Sequence, residues 1–236
     1  MVNKMEKLVI GVLGGMGTYA TINMFKQYAQ VFPAEKEWER PRIVIDNRCT
    51  MPSRVRAYLY HEKVDELIDE MSESMKYLVD TGCNKIILAC NTSHLFLPKI
   101  YEKVPELQEK IVNIIDVTVN KIENDNVKEV FLIGSEGTID SRIYQDALEK
   151  KGIKCLVPTK EEYTLVRELI EAVKQDNYTD NTEKEFLRLI NRFDNVILGC
   201  TEMPILYERY QDKINNKGVY DPCLLSLKKM KEEYYD

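Results

Sequence analysis

The chain predicts an α/β protein built as two pseudosymmetric halves, each a three-layer unit with a mainly parallel sheet and crossover helices. Three observations carry this. The hydrophobic period alternates between strand and helix along the chain. An apolar run followed by a glycine-containing turn occurs twice, at 8–13 with 14–17 and at 127–133 with 134–138. Each half then closes on a second apolar run that ends in a thiol with polar followers, Cys90-Asn91-Thr92 and Cys200-Thr201-Glu202. Repeated strand–helix–strand order is the pattern of parallel sheets with right-handed crossovers.

Taken in order, residues 8–13 are all apolar or glycine and read as a first strand, the turn follows, and 21–28 are helix-like. A short strand is expected at 43–46. The clearest helix is 61–80, where Val64, Leu67, Ile68, Met71, Met75, Leu78 and Val79 keep a 3.6-residue period and Gly82 stands at the C-terminal cap. Residues 85–89 return to strand, 98–104 are helical, and 111–115 read as another strand. In the second half 127–133 is a strand, 143–151 a helix, and 154–157 extended. A helix at 161–174 turns Leu165, Leu169, Ile170 and Val173 inward, and 195–198 is the strand that delivers the second thiol. The expected division is a first unit of 1–116 plus 207–236 and a second of 117–206.

Length and composition narrow the function classes. A chain of 236 residues is long enough for one large or two smaller cores, and 44% hydrophobic with 31% charged residues is ordinary for a folded protein. The net charge of -6, from 39 acids against 33 bases, comes without a dense Lys/Arg stripe, which argues against a nucleic-acid partner and for a small molecule. The start MVNKMEKLVIGVLGG imitates an export signal, but glycines cut its apolar stretch short, and no run approaches the length of a membrane span. A cytoplasmic location with no membrane partner is expected. The six cysteines then read as free thiols. A zinc site is not expected, because Cys83, Cys90 and His94 lack a knuckle spacing and His61 is the only other histidine.

Ligands of parallel sheets sit beyond the carboxyl ends of strands. Two cysteines at two such ends can therefore face one small molecule from opposite sides of an interdomain cleft. A thiol, with an ordinary pKa of roughly 8.5 and a thiolate favoured at helix N-termini, suits removal of a proton from one face of a carbon and its return on the other. The plain reading of a cysteine is a small buried hydrophobe. It fits Cys49, Cys83 and Cys155, whereas the repeated context of Cys90 and Cys200 points to chemistry.

The strings GGMGTYAT, ACNTSH, GSEGT and GCTEMP together resemble the aspartate/glutamate racemase superfamily over nearly the whole chain, in the branch of aspartate and broad-specificity amino-acid racemases. GCTE, where cell-wall glutamate racemases carry GCTH, favours the aspartate branch. The resemblance implies two-base racemisation by Cys90 and Cys200 without pyridoxal phosphate or any other cofactor, in a two-domain fold that commonly forms homodimers. It further implies that Gly15, Met16 and Gly17 line the substrate pocket. Asn91, Thr92, Ser135, Thr138 and Thr201, with Glu202 beside them, would hold the substrate's α-carboxylate and amine. Met51-Pro52-Ser53-Arg54 resembles the family's IPDR segment, so Arg54 is the expected partner of a substrate side-chain carboxylate, with Lys174 as a second cation.

The chain departs from the pattern at Thr18, at Ser53 and at Asp221-Pro222-Cys223, where a following histidine is missing and Cys223 falls near the cleft. His94 is expected to brace its helix. The expected reaction is interconversion of L- and D-aspartate, with glutamate or a broader amino-acid set next. Two other readings exist. Gly15-Met16-Gly17-Thr18-Tyr19-Ala20 fits G-x-G-x-x-A after a strand, with Asp46 as ribose partner, the mark of an NAD(P)-binding oxidoreductase. A non-catalytic amino-acid sensor would keep the cleft without turnover.

Overall fold

The computed structural model describes residues 7–235; Met1 to Glu6 of the leader-like start, and Asp236, lie outside the described residues. The first half runs β1 (Val9–Leu13), α1 (Thr18–Val31), β2 (Arg42–Asp46), α2 (Arg54–Tyr60), α3 (Val64–Asp80), β3 (Lys85–Leu88), α4 (Leu97–Lys103) and α5 (Ile114–Asn124). The second runs β4 (Glu129–Ile133), α6 (Glu136–Asp140), α7 (Ile143–Glu149), β5 (Lys154–Leu156), α8 (Glu162–Lys174), α9 (Asp180–Ile190), β6 (Asn195–Leu198), α10 (Met203–Tyr210), β7 (Gly218–Tyr220) and α11 (Pro222–Tyr235). No helix among the described residues is long and apolar enough to cross a membrane.

Among the described residues two sheets form, in the orders β2-β1-β3 and β5-β4-β6-β7, and every pairing in them is parallel. Alternate residues of the apolar strands point to opposite faces, and both faces are covered, which is why these strands read as unbroken hydrophobic runs. Ile10, Val12, Ile87 and Ala89 of the first sheet and Val130, Leu132 and Ile197 of the second share one central core with α1, α5, α7 and α11. Leu13, Ile86 and Leu88 face α3 and α4 on one outside, while Phe131, Ile133, Val196 and Leu198 face α8, α9 and α10 on the other.

The long helix α3 shows how the sequence sets a boundary. Leu67, Ile68, Met71, Met75 and Leu78 form its buried stripe, and a Leu or Met to Ala change there costs about 2–5 kcal/mol. Gly82 takes φ +93°, and the Gly82 N–H reaches Val79 O at 2.8 Å while the Cys83 N–H reaches Leu78 O at 3.1 Å. This doubled cap is the one the glycine predicts.

Residues 111–115 correct the sequence reading. Only Ile111 bridges Ile86, held by Ile86 N–H to Lys110 O and Val112 N–H to Ile86 O at 2.8 Å each. Asn113 then caps a helix, its Oδ1 accepting from Ile115 N–H at 3.0 Å and Asp116 N–H at 3.4 Å, so α5 starts where a strand was expected. The bridge sits where β7 sits in the second sheet. The segment 207–236 divides: β7 pairs with β6, whereas α11 packs on α1 and α5.

Candidate active site

Beyond the carboxyl ends of the central strands lies a cleft of about 430 Å³, walled by residues of both halves. β3 delivers Cys90 through Ala89, and β6 delivers Cys200 through Gly199, so the two thiols occupy equivalent places and line the same cleft. Gly199 lets the strands pack closely here, since a Cβ there would displace the Leu132 side chain of the neighbouring strand. The thiols are close enough for charge on Cys90 to oppose ionisation of Cys200.

Cys200 has a carboxylate partner. Its Sγ donates to Glu202 Oε2 at 2.9 Å, and Glu202 is only 2% exposed. Burial, then the charge of Glu202 and this hydrogen bond, push the Cys200 thiol well above its ordinary pKa. Burial also raises the Glu202 carboxyl, against the opposing pull of the Cys200 hydrogen bond, Lys174, its own backbone N–H and Arg54. A thiolate and a carboxylate cannot both be charged at that separation, so the pair holds at least one proton. Glu202 Oε1 is buried with no hydrogen-bond partner among the described residues and lies against Gly17, where any Cβ would collide with it.

Around Cys90 the chain is fixed by its own turn. The Cys90 carbonyl accepts from Ser93 Oγ at 2.6 Å and is bonded by His94 Nδ1 at 3.0 Å. Burial lowers the His94 pKa to about 4, so at neutral pH the ring is neutral and Nδ1–H is the donor. His94 therefore braces this turn. Asn91 Oδ1 accepts from Tyr144 Oη at 2.6 Å. Three hydroxyls close a triangle, Thr92 with Thr138 at 2.8 Å and Ser135 with each of Thr92 and Thr138 at 3.1 Å. Thr201 Oγ1 donates to Ala89 O at 3.3 Å. These bonds stitch the halves together beside the two cysteines.

Of the residues expected at the site, Met16, Arg54, Cys90, Asn91, Thr92, Ser135, Lys174, Cys200, Thr201 and Glu202 line the cleft. Gly15, Gly17 and Thr138 stand behind this wall. Gly15, at φ +77°, is pressed against the Arg48–Cys49 backbone, Gly17 makes room for Glu202, and Thr138 completes the hydroxyl triangle. Arg54 donates through Nη1 to Pro52 O and through Nη2 to Met16 O, each at 3.1 Å, while its buried Nε has no partner among the described residues. Lys174 bonds Glu171 at 3.0 Å; burial works against its charge, but Glu171, Glu202 and Cys200 together raise its pKa.

Sequence reasoning missed part of the wall: Val55, Tyr163, Val166 and Ile170, with the Arg167–Glu136 ion pair at its edge. The amphipathic period of α8 carried the signal, although Val166 rather than Leu165 is the buried residue of its first turn. Cys223, in the first turn of α11, is buried and held in the thiol form by burial and by Asp221, Cys90 and Glu202. Burial pushes Cys155 up to about 12, Cys83 is buried, and Cys49 is exposed.

The chain is similar to known proteins over most of its length. The sequence profile described as Asp/Glu/Hydantoin racemase matches residues 13–230. The chain is 27% identical over 214 residues to the broad specificity amino-acid racemase RacX of Bacillus subtilis, an alignment covering 87% of this chain and 90% of that protein. It is 25% identical over 176 residues to the glutamate racemase of Aquifex aeolicus, covering 71% of this chain and 65% of that one. Among solved structures, Picrophilus torridus aspartate racemase superposes with a TM-score of 0.80 at 27% identity, covering 96% of this chain and 97% of that chain. An aspartate racemase homologue from Pyrococcus horikoshii OT3 shares the fold, with a TM-score of 0.75 at 24% identity over 98% of this chain and 100% of the other.

Proposed function

The chain belongs to the Asp/Glu/Hydantoin racemase family, and from that premise we propose that it interconverts L- and D-aspartate by two-base proton transfer between Cys90 and Cys200. As a member it is an isomerase, a pyridoxal-phosphate-independent amino-acid racemase. The observation that carries the mechanism is the pair of strand-end thiols, one from each sheet, on one cleft.

Cys200 enters the cycle as the proton donor, because Glu202 and burial hold it as a thiol. Cys90 acts as the base. The Cys90 thiolate takes the Cα proton from one face, and the Cys200 S–H gives its proton to the opposite face, leaving Cys90 as thiol and Cys200 as thiolate, with the Glu202 carboxyl, raised by burial, holding the pair's remaining proton. The reverse direction uses the same groups with roles exchanged. Asn91, Thr92, Ser135 and Thr201 offer the neutral polar groups that suit the α-carboxylate and amine. Arg54 keeps three N–H groups after its two carbonyl bonds, and Lys174 lines the same cleft, which supports an acidic side chain. Glutamate and other amino acids follow as wider substrates. A homodimer and a cytoplasmic location belong to the same proposal.

Membership of a racemase family overturns the oxidoreductase reading. The pyrophosphate place at the N-terminus of α1 is taken by the Glu202 carboxylate against Gly17, and Asp46 is held by Ser74 at 2.6 Å and Arg48 at 3.4 Å.

The test is incubation of L-aspartate in deuterated water with chiral chromatography. Turnover gives α-deuterated D-aspartate, and Cys90→Ser and Cys200→Ser each abolish it. A Cys90→Ser protein racemising at the wild-type rate refutes the two-base assignment, and binding without exchange marks a sensor. Arg54→Leu should lower the ratio of aspartate to alanine turnover; an unchanged ratio removes the acidic specificity and leaves the racemase.

A further inference from the structure

Asn91 is 2% exposed, yet its Nδ2 has no hydrogen-bond partner among the described residues, and the residue lines the cleft directly after Cys90. A buried amide N–H₂ without a partner is unfavourable, and the great majority of buried polar groups avoid that state. The other end of the same amide is held. Tyr144, on α7 of the opposite half, is 0% exposed and donates its Oη–H to Asn91 Oδ1 at 2.6 Å. A buried phenol seeks such a partner. The consequence for Asn91 is orientational: an amide has one acceptor end and one donor end, and a phenolic donor on one side selects which end faces away.

We propose that Tyr144 is a positioning residue for racemisation, fixing the Asn91 amide so that Nδ2 is presented to the substrate's α-carboxylate. The inference rests on the racemase reading and adds a residue that neither its motif nor its exposure would nominate. As the Cα proton leaves toward a cysteine, negative charge spreads onto the α-carboxylate, so a donor aimed at it binds the transition state more strongly than the ground state. Asn91 adjoins Cys90 in the chain, so one phenol from the second half sets the donor next to the base of the first.

The experiment is a double-mutant cycle with Tyr144→Phe and Asn91→Ala, reading kcat and KM in both directions, with urea unfolding of each protein. Tyr144→Phe should lower kcat/KM for aspartate by about tenfold, the loss of one oriented hydrogen bond. In the Asn91→Ala background the same change should cost less than about twofold, because the amide it orients is gone. Equal losses in both backgrounds, or no loss in either, overturn the inference.

Asn91→Asp supplies a check that spares Tyr144. The carboxylate still accepts from the phenol but turns an oxygen where Nδ2 stood, so kcat/KM should fall by about a hundredfold or more as like charges meet at the α-carboxylate. Near wild-type turnover by Asn91→Asp overturns the inference even if Tyr144→Phe fails to fold. Failure of the wild-type protein to racemise any amino acid instead removes the reading beneath it, a result the unmutated protein gives on its own.

Discussion

His94 makes the protein acid-sensitive in a way that can be worked out in advance. It is 4% exposed, bonded through Nδ1 to the Cys90 carbonyl, and its Nε2 has no hydrogen-bond partner among the described residues to receive a second proton's charge. Burial takes its pKa from 6.5 to about 4. Between those values the unfolded chain binds a proton that the folded protein refuses, so stability present above 6.5 is lost as pH falls toward 4. The loss is ~2 kcal/mol by about pH 5 and ~3 kcal/mol by about pH 4. Glu202 and Asp221, whose carboxyls burial raises, push the other way. Their contribution cancels in a comparison with His94→Asn, which keeps an N–H donor and does not titrate. Urea unfolding of both proteins at about pH 7.5 and about pH 5 should show the wild type losing ~2 kcal/mol more than the variant. Parallel losses would refute the argument that His94 is buried in its neutral form.

Two further outcomes test the rest of the site. Glu202→Gln removes the carboxylate opposing Cys200, so the pH midpoint for alkylation of Cys200 by iodoacetamide, read by peptide mass spectrometry, should move down while burial still holds it above an ordinary thiol; an unmoved midpoint would show that the 2.9 Å contact carries no charge coupling. Gly15→Ala places a Cβ on the Arg48–Cys49 backbone at φ +77°, and urea unfolding should register a loss of about 2 kcal/mol or more, whereas unchanged stability would mean that the turn relaxes freely.

Much of the architecture was legible because parallel strands covered on both faces leave continuous apolar runs, and the two thiol strings mark where two of those runs stop. The helix α3 was legible down to its capping glycine. The strand expected at 111–115 was not, because β-branched residues such as Ile111 and Val112 suit a strand while Asn113, one position on, starts a helix; local preference and capping compete there, and the cap wins after a single bridge. The cleft's polar residues were readable from the motifs. Its apolar wall on α8 was not, because a buried Val166 or Ile170 looks the same from sequence whether it faces a core or a ligand. Tyr144 was hidden for a related reason: its only polar atom works across a seam joining positions 53 residues apart.

The central core has one further consequence. Side chains of both sheets meet in it, and α11 leaves the second sheet only to lie on α1 and α5 of the first half. Neither half owns a complete interior. Severing the chain between Asn124 and Glu129 would strip Ile10 and Ile87 on one piece and Val130 and Ile197 on the other of their shared packing, so the fragments should be insoluble apart and recover structure only when mixed. The two sulfurs stand outside that shared interior, Cys90 within the outer core of the first half and Cys200 against the outer core of the second.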